Sequence, residues 1–129
     1  MVQNLEIIVR LTTVTYDEAE KGTNKLLDLK NPPDGIFTPG DILGVSALQC
    51  AKKRGIKVPE ELAIIGFNND PISEIIDPNL STITHPAEKM GQAAAKIIIK
   101  NLKSLKKDDI KEITFLNTEV LVRESSKKK

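Results

Sequence analysis

Asp34-Gly35-Ile36-Phe37-Thr38-Pro39-Gly40-Asp41, then a helix-like run, then Leu62-Ala63-Ile64-Ile65-Gly66-Phe67-Asn68-Asn69-Asp70: this stretch decides how the chain reads. Two short apolar strands each end in a polar, turn-rich loop. Between them Asp41 stands as the expected N-cap of a helix whose apolar face is Ile42, Val45, Leu48 and Ala51, with Gly55 closing it. Lys52, Lys53 and Arg54 fill the last turn, where the helix dipole favours cations. Residues 62–67 are apolar without alternation, the pattern of a strand covered on both faces. In an open parallel α/β sheet, the loops after such strands lie at one edge, outside the carboxyl ends, where ligands bind. The stretch therefore reads as half of a small-molecule site, with no catalytic group in it.

The same plan extends in both directions. Upstream, residues 6–11 are rich in β-branched and aliphatic side chains and predict a strand. Thr15 followed by Glu18 has capping-box spacing, so a helix is expected from there, with Ala19, Gly22, Leu26, Leu27 and Leu29 near helical spacing. Asn31-Pro32-Pro33 cannot continue it. Downstream, Asp70 and Pro71 suit the N-cap and first position of a short helix ending at Asp77-Pro78. Residues 79–84 predict a further short strand, and Pro86 opens a longer helix with Met90, Ala93, Ala94, Ile97 and Ile98 on one side. Residues 113–122 read as a last strand, and residues 125–129 as a solvated tail. Strand and helix alternate, so a mainly parallel sheet with right-handed crossovers and helices on both faces is expected.

The 129 residues are the size of one domain. Nineteen lysines and arginines against 18 aspartates and glutamates leave a net charge of +1, which gives no general attraction to nucleic acid or anionic membrane. Aromatic residues make up 3% of the chain, so the core is expected to be aliphatic, and stacking platforms for single strands are not expected. Cys50 is the only cysteine, which excludes an internal disulfide and reads as a core residue of a reduced, cytoplasmic protein. No secretory signal or apolar run of transmembrane length is visible.

Read in order, Pro33-Asp34-Gly35-Ile36-Phe37, Gly40-Asp41-Ile42, Ala47-Leu48, Gly55-Ile56-Lys57-Val58-Pro59-Glu60, Ile65-Gly66-Phe67-Asn68-Asn69, Pro78-Asn79-Leu80-Ser81-Thr82-Ile83, Met90-Gly91 and Val122-Arg123-Glu124-Ser125-Ser126 resemble the C-terminal region of lactose-repressor/galactose-repressor (LacI/GalR) transcription regulators. The likeness is collinear over nearly the whole chain. It implies a three-layer α/β sandwich of the type I periplasmic-binding-protein-like class, here part of the C-terminal lobe plus a crossover helix and a return strand (residues 1–124). In such regulators two lobes clasp an effector, and a separate helix-turn-helix binds the operator. No candidate for that DNA-binding domain is present in these residues. An effector-sensing and dimerisation role follows from the likeness, with a small-molecule effector such as a sugar, a homodimer, and operator contact only through the missing domain. Weak effector binding or none is expected of this chain alone. Its crossover helix and edges are expected to be covered by a second copy.

Asn68 takes the place of the family's first aspartate after Gly-Phe, which implies an effector contact. A turn asparagine bonded to its own backbone is the plainer reading, and the ligand reading is favoured because the loop follows a strand's carboxyl end. Asparagine both donates and accepts where aspartate only accepts, so effector preference should differ. Gly40 falls where relatives carry an asparagine contact, and it leaves backbone amides accessible at a helix start. Asp41 joins the effector set by position, although capping suits it better. Tyr16 and Asp17 lie near a further effector position of the family, with local spacing off by about one residue. Val45, Ile75 and Ile76 correspond to dimer contacts, although Val45 suits the core equally.

Other side chains suggest little. Asp70 lacks the spacing of a calcium loop, and His85 has no paired nucleophile or metal ligands. Gly35, Gly40 and Gly44 do not form a phosphate-cradling motif. No catalytic residue, metal site or cofactor is expected. The rival readings are a solute-binding protein of a transporter and, less well supported, a fragment of a Rossmann-like enzyme.

Overall fold

The computed structural model describes residues 15–103 and 113–127. The chain runs α1 (Tyr16–Leu27), β1 (Gly35–Phe37), α2 (Asp41–Lys53), β2 (Ala63–Asn68), α3 (Ile72–Ile75), β3 (Ser81–Thr84), α4 (Ala87–Lys103) and β4 (Val120–Leu121). The sheet order is β1-β2-β3-β4, with β1, β2 and β3 parallel and β4 antiparallel on the edge of β3. This is the open, parallel-dominated α/β sheet that the alternation of strand and helix calls for. The strand expected over residues 6–11 lies outside the described residues.

Local chemistry sets the ends of the first two helices. The Thr15 hydroxyl accepts from the Glu18 amide at 3.4 Å, the first half of a capping box, while the Glu18 carboxylate turns to Lys21 instead of completing it. α2 stops where the chain turns left-handed at Gly55 (φ 69°). There the Ile56 amide reaches the Ala51 carbonyl and the Gly55 amide the Lys52 carbonyl, the two crossed bonds of a Schellman motif. Ile56 then packs against the core, and the chain enters β2.

The core lies between α2 and the sheet: Ile36, Ala47, Leu48, Ala51, Leu62, Ile64 and Leu80, with Leu26 and Leu27 of α1 against it. It is aliphatic throughout. Each of the larger side chains contributes about 1.5–3 kcal/mol by burial. Burial alternates along β2, which corrects the expectation of a strand covered on both faces. Ile64 and Gly66 are sealed, while Ala63, Ile65 and Phe67 on the other face are half-buried. A full three-layer sandwich needs helices over that second face, and among the described residues α4 does not supply them. It has no buried residue, and Met90 and Ile98 of its apolar stripe are 45% and 58% exposed.

Three further expectations are corrected. The last strand is two residues long, not ten, because β3 offers a partner only to Val120 and Leu121, with Glu119 adding bonds to Thr84. Upstream, Ile113 and Phe115 are open to solvent. The short third helix is capped by Pro71 and not Asp70, and it ends at Ile75, before Asp77-Pro78. The tail starts later than Ser125, which is fully buried: its hydroxyl donates to the Ile64 carbonyl at 2.6 Å and accepts from the Ser81 amide at 2.8 Å. Ser126 bonds Ser81 through its hydroxyl at 2.7 Å. These serines complete the β2–β3 seam, so they are part of the fold.

Candidate functional site

Parallel pairing places the ends of β1 and β2 at one edge of the sheet. Beyond Phe37 the chain stays paired for one residue, with the Thr38 amide on the Ile65 carbonyl at 2.9 Å. The Thr38 hydroxyl then donates to the Gly40 carbonyl at 3.0 Å and turns the chain into α2. Gly40, not Asp41, is the N-cap; it is extended and makes no side-chain cap. A Cβ there would meet nothing within 4 Å, so the space in front of this helix start is open.

Asp41 does something the sequence reading missed. It is the first residue of α2, it is fully buried, and its carboxylate points into the molecule. Oδ2 accepts the Asp70 amide at 2.6 Å, and Oδ1 accepts the Thr82 hydroxyl at 2.6 Å. A buried carboxylate is tolerable here because it takes two short donors beside the positive end of a helix. The cap role is therefore corrected, and a side chain without exposed surface does not serve as a direct ligand contact. The neighbouring glycine follows from the same packing. A Cβ on Gly66 would overlap Asp41 Oδ1 and stand 3.1 Å from Leu80 Cδ2, so β2 needs a bare backbone where α2 crosses it.

The Asp41–Asp70 bond brings the Gly40 and Asn68 loops side by side, as the sequence demanded. Asn68 is exposed and has φ 106°, and Asn69 has φ 59°. Two consecutive left-handed residues at a strand end are uncommon, and asparagine is among the few side chains enriched there. Tyr16 and Asp17 are both exposed at the start of α1, where the Tyr16 carbonyl accepts from the Ser46 hydroxyl at 3.3 Å. That bond sets them beside α2. Among the described residues no hydrogen bond joins them to the Asn68 loop.

Arg123 is a second residue with no forecast role. Its guanidinium donates to Asn69 Oδ1 at 2.9 Å, Glu74 Oε1 at 2.8 Å, Ser73 Oγ at 3.0 Å and the Leu80 carbonyl at 3.0 Å. The signals for it were a polar Arg-Glu-Ser-Ser run directly after an apolar strand and the likeness of that run to the family's ending, neither of which names its partners.

The three residues matched to dimer contacts separate. Val45 is buried in its own fold, and Ile76 packs against the core, whereas Ile75 is 75% exposed. Burial pushes the Cys50 thiol above its ordinary range, which suits a packed thiol and not a nucleophile. Among the described residues no cluster of three or more His, Cys, Asp or Glu could hold a metal, and no helix is long and apolar enough to cross a membrane. A shallow concavity of about 240 Å³ lies at the opposite edge of the sheet, lined by Leu27, Pro32, Pro33, Asp34, Ile56 and Glu61. It precedes the strands, away from the carboxyl ends where this class of sheet binds ligands.

Comparison with known proteins agrees with this geometry. Residues 2–126 match the family model described as a periplasmic binding protein-like domain. The chain is 39% identical over 85 residues to the HTH-type transcriptional repressor CytR of Escherichia coli K12, covering 66% of this chain and 25% of that protein. It is 32% identical over 125 residues to a ribose operon repressor of Halalkalibacterium halodurans, covering 97% of this chain and 37% of that one. Among solved structures, the CelR–cellobiose complex superposes with a TM-score of 0.77 at 27% identity, over 88% of this chain and 34% of that chain. A LacI family regulator from Arthrobacter sp. FB24 in complex with lactose gives 0.77 at 26%, over 88% and 42%. The chain thus spans well under half the length of the relatives it matches.

Proposed function

We propose that this chain, which belongs to the periplasmic binding protein-like domain family, is the effector-sensing part of a LacI-type transcriptional regulator. Its relatives are regulators and not enzymes. The observation that carries the proposal is the adjacency of the two carboxyl-edge loops, fixed by the bond of Asp41 to the Asp70 amide. Those loops form one wall of a cleft, with an open helix start at Gly40 and an exposed amide side chain at Asn68, while Tyr16 and Asp17 are exposed beside α2.

The ligand class follows from the chemistry. Asn68 offers both a donor and an acceptor, and the charged side chains on the two tips are carboxylates, Asp41 buried and Asp70 half-buried, so a neutral, hydroxyl-rich effector suits the wall better than an anion. Two of the structural neighbours hold cellobiose and lactose. In the complete regulator, a cytoplasmic protein on this reading, a sugar closing the cleft would change the disposition of two DNA-binding heads. Such coupling is typically about 1–3 kcal/mol. Ile75, open on α3, is the residue best placed to contact a second copy. The transporter reading shares the fold but would not call for an operator-linked response.

The test uses the complete gene product. Calorimetric titration with a panel including cellobiose, lactose and ribose should find a binder, and that sugar should shift operator affinity about 5- to 150-fold. Asn68→Ala should abolish the sugar response and leave sugar-free operator binding intact. Undiminished sugar affinity in Asn68→Ala would sink the assignment.

A further inference from the structure

The tip of the candidate ligand loop is held from three sides. Among the described residues Asn68 and Asn69 are the non-glycine residues with positive φ, at 106° and 59°. Asparagine enters that region more readily than most side chains, and two such residues in a row are held there when their surroundings tie the turn. Here three side chains from three different elements do so. Asp41, at the start of α2, takes the Asp70 amide at 2.6 Å. Thr82, within β3, takes the Asn69 amide at 3.2 Å while giving its own proton to Asp41 at 2.6 Å. Arg123, after β4, donates to Asn69 Oδ1 at 2.9 Å.

The three are not loose surface contacts. Asp41 and Thr82 have no exposed surface, and the guanidinium is steadied by Ser73, Glu74 and the Leu80 carbonyl. Its planar fork serves these directions together, which a lysine ammonium on a flexible stem would not. Among the described residues the Asn68 side chain, by contrast, takes part in no hydrogen bond, and it is exposed. The backbone on its C-terminal side is tied, and its carboxamide is left free.

We propose that Asp41, Thr82 and Arg123 form a positioning clamp that sets the 68–70 turn, and so the direction in which Asn68 presents its carboxamide to a hydroxyl-rich ligand. The inference rests on the reading of Asn68 as a ligand contact. A ligand meeting a preset donor and acceptor does not have to order the loop, so the clamp serves affinity without touching the ligand. Thr82 is its pivot, since one hydroxyl serves both the carboxylate and the turn.

Thr82→Val keeps the shape and removes the hydroxyl, and Thr82→Ser restores it. Amide hydrogen exchange on the full chain should show Asn69 and Asp70 exchanging about tenfold faster in Thr82→Val, roughly the loss of one hydrogen bond. The Ile64 amide, held by the Ser125 carbonyl at 2.9 Å, should be unchanged, and Thr82→Ser should return the wild-type pattern. Arg123→Gln supplies a second variant should Thr82→Val unfold. Titration of the same substitutions in the complete gene product with cellobiose, lactose and ribose should show weakened binding, rescued in Thr82→Ser. Unchanged exchange at Asn69 and Asp70 in both variants overturns the clamp. Faster exchange with undiminished sugar affinity overturns its positioning role. If none of these sugars binds the wild-type complete gene product, the ligand reading of Asn68 falls, and exchange alone still decides whether the clamp sets the turn.

Discussion

The carboxyl edge of the sheet and helix α4 both mix apolar and polar residues, yet they have opposite fates. At the edge, polar side chains are turned inward and spent on one another: Asp41 on Thr82 and the Asp70 amide, Arg123 on Asn69. No described buried side-chain polar atom there is left without a partner. On α4 the apolar stripe faces outward and no residue is buried. A helix of this pattern gains most of its stability from packing, so α4 is shaped for a surface that the described residues do not provide. The edge is finished within this chain, whereas the helix is not.

The sharpest way to break that contrast is in the core beneath the edge. Leu80 is fully buried and touches both Gly44 and Gly66, so α2, β2 and β3 meet on it. Leu80→Ala should destabilise the fold by about 2–5 kcal/mol, read from the shift of a urea transition at constant slope. A loss below 1 kcal/mol would mean that the seam can collapse around the void, and that the edge is less firmly set than its hydrogen bonds suggest.

A smaller effect sharpens the same point. Gly66→Ala adds one methyl where Asp41 Oδ1 and Leu80 Cδ2 already lie. The methyl would also stand 3.2 Å from the Asp41 backbone Cα, so α2 must lift off β2 to admit it. The expected cost is about 1–3 kcal/mol. Because the displaced Oδ1 belongs to the carboxylate whose other oxygen, Oδ2, holds the Asp70 amide, that amide should also lose exchange protection. Destabilisation without that local signature would separate packing from loop control.

The architecture was legible because strand-to-helix alternation and turn residues are local signals. Residues 35–38, the Gly55 stop and residues 62–67 each marked an element by their own chemistry, and the adjacency of the Gly40 and Asn68 loops followed from parallel topology. What was illegible depends on residues far apart in sequence. Asp41 reads as a cap because aspartate before a helix usually is one; its true partners, Asp70 and Thr82, are 29 and 41 positions away. Arg123 followed the expected last strand and Ser125 opened the expected tail, and only the fold brings them to Asn69 and Ile64, 54 and 61 positions distant. The last strand was overestimated for the same reason: propensity ran on through residues 113–118, but β3 ends at Thr84, which bonds Glu119 and among the described residues leaves no strand partner beyond it.

The smallest expected effect falls on α4, and its smallness is the point. Ile98 lies on the apolar stripe but is 58% exposed, so replacing it by serine removes little buried surface. Unfolding of the α/β core should change by no more than about 0.5 kcal/mol, the range of surface substitutions away from special features. The same change in the complete regulator meets a different surface if the stripe is covered there, and should then cost as a partly buried isoleucine does, about 1 kcal/mol or more. Equal, negligible effects in both settings would show that the stripe packs against nothing in either. A large effect already in this chain would show that α4 rests on the sheet after all, and the contrast between the two regions would dissolve.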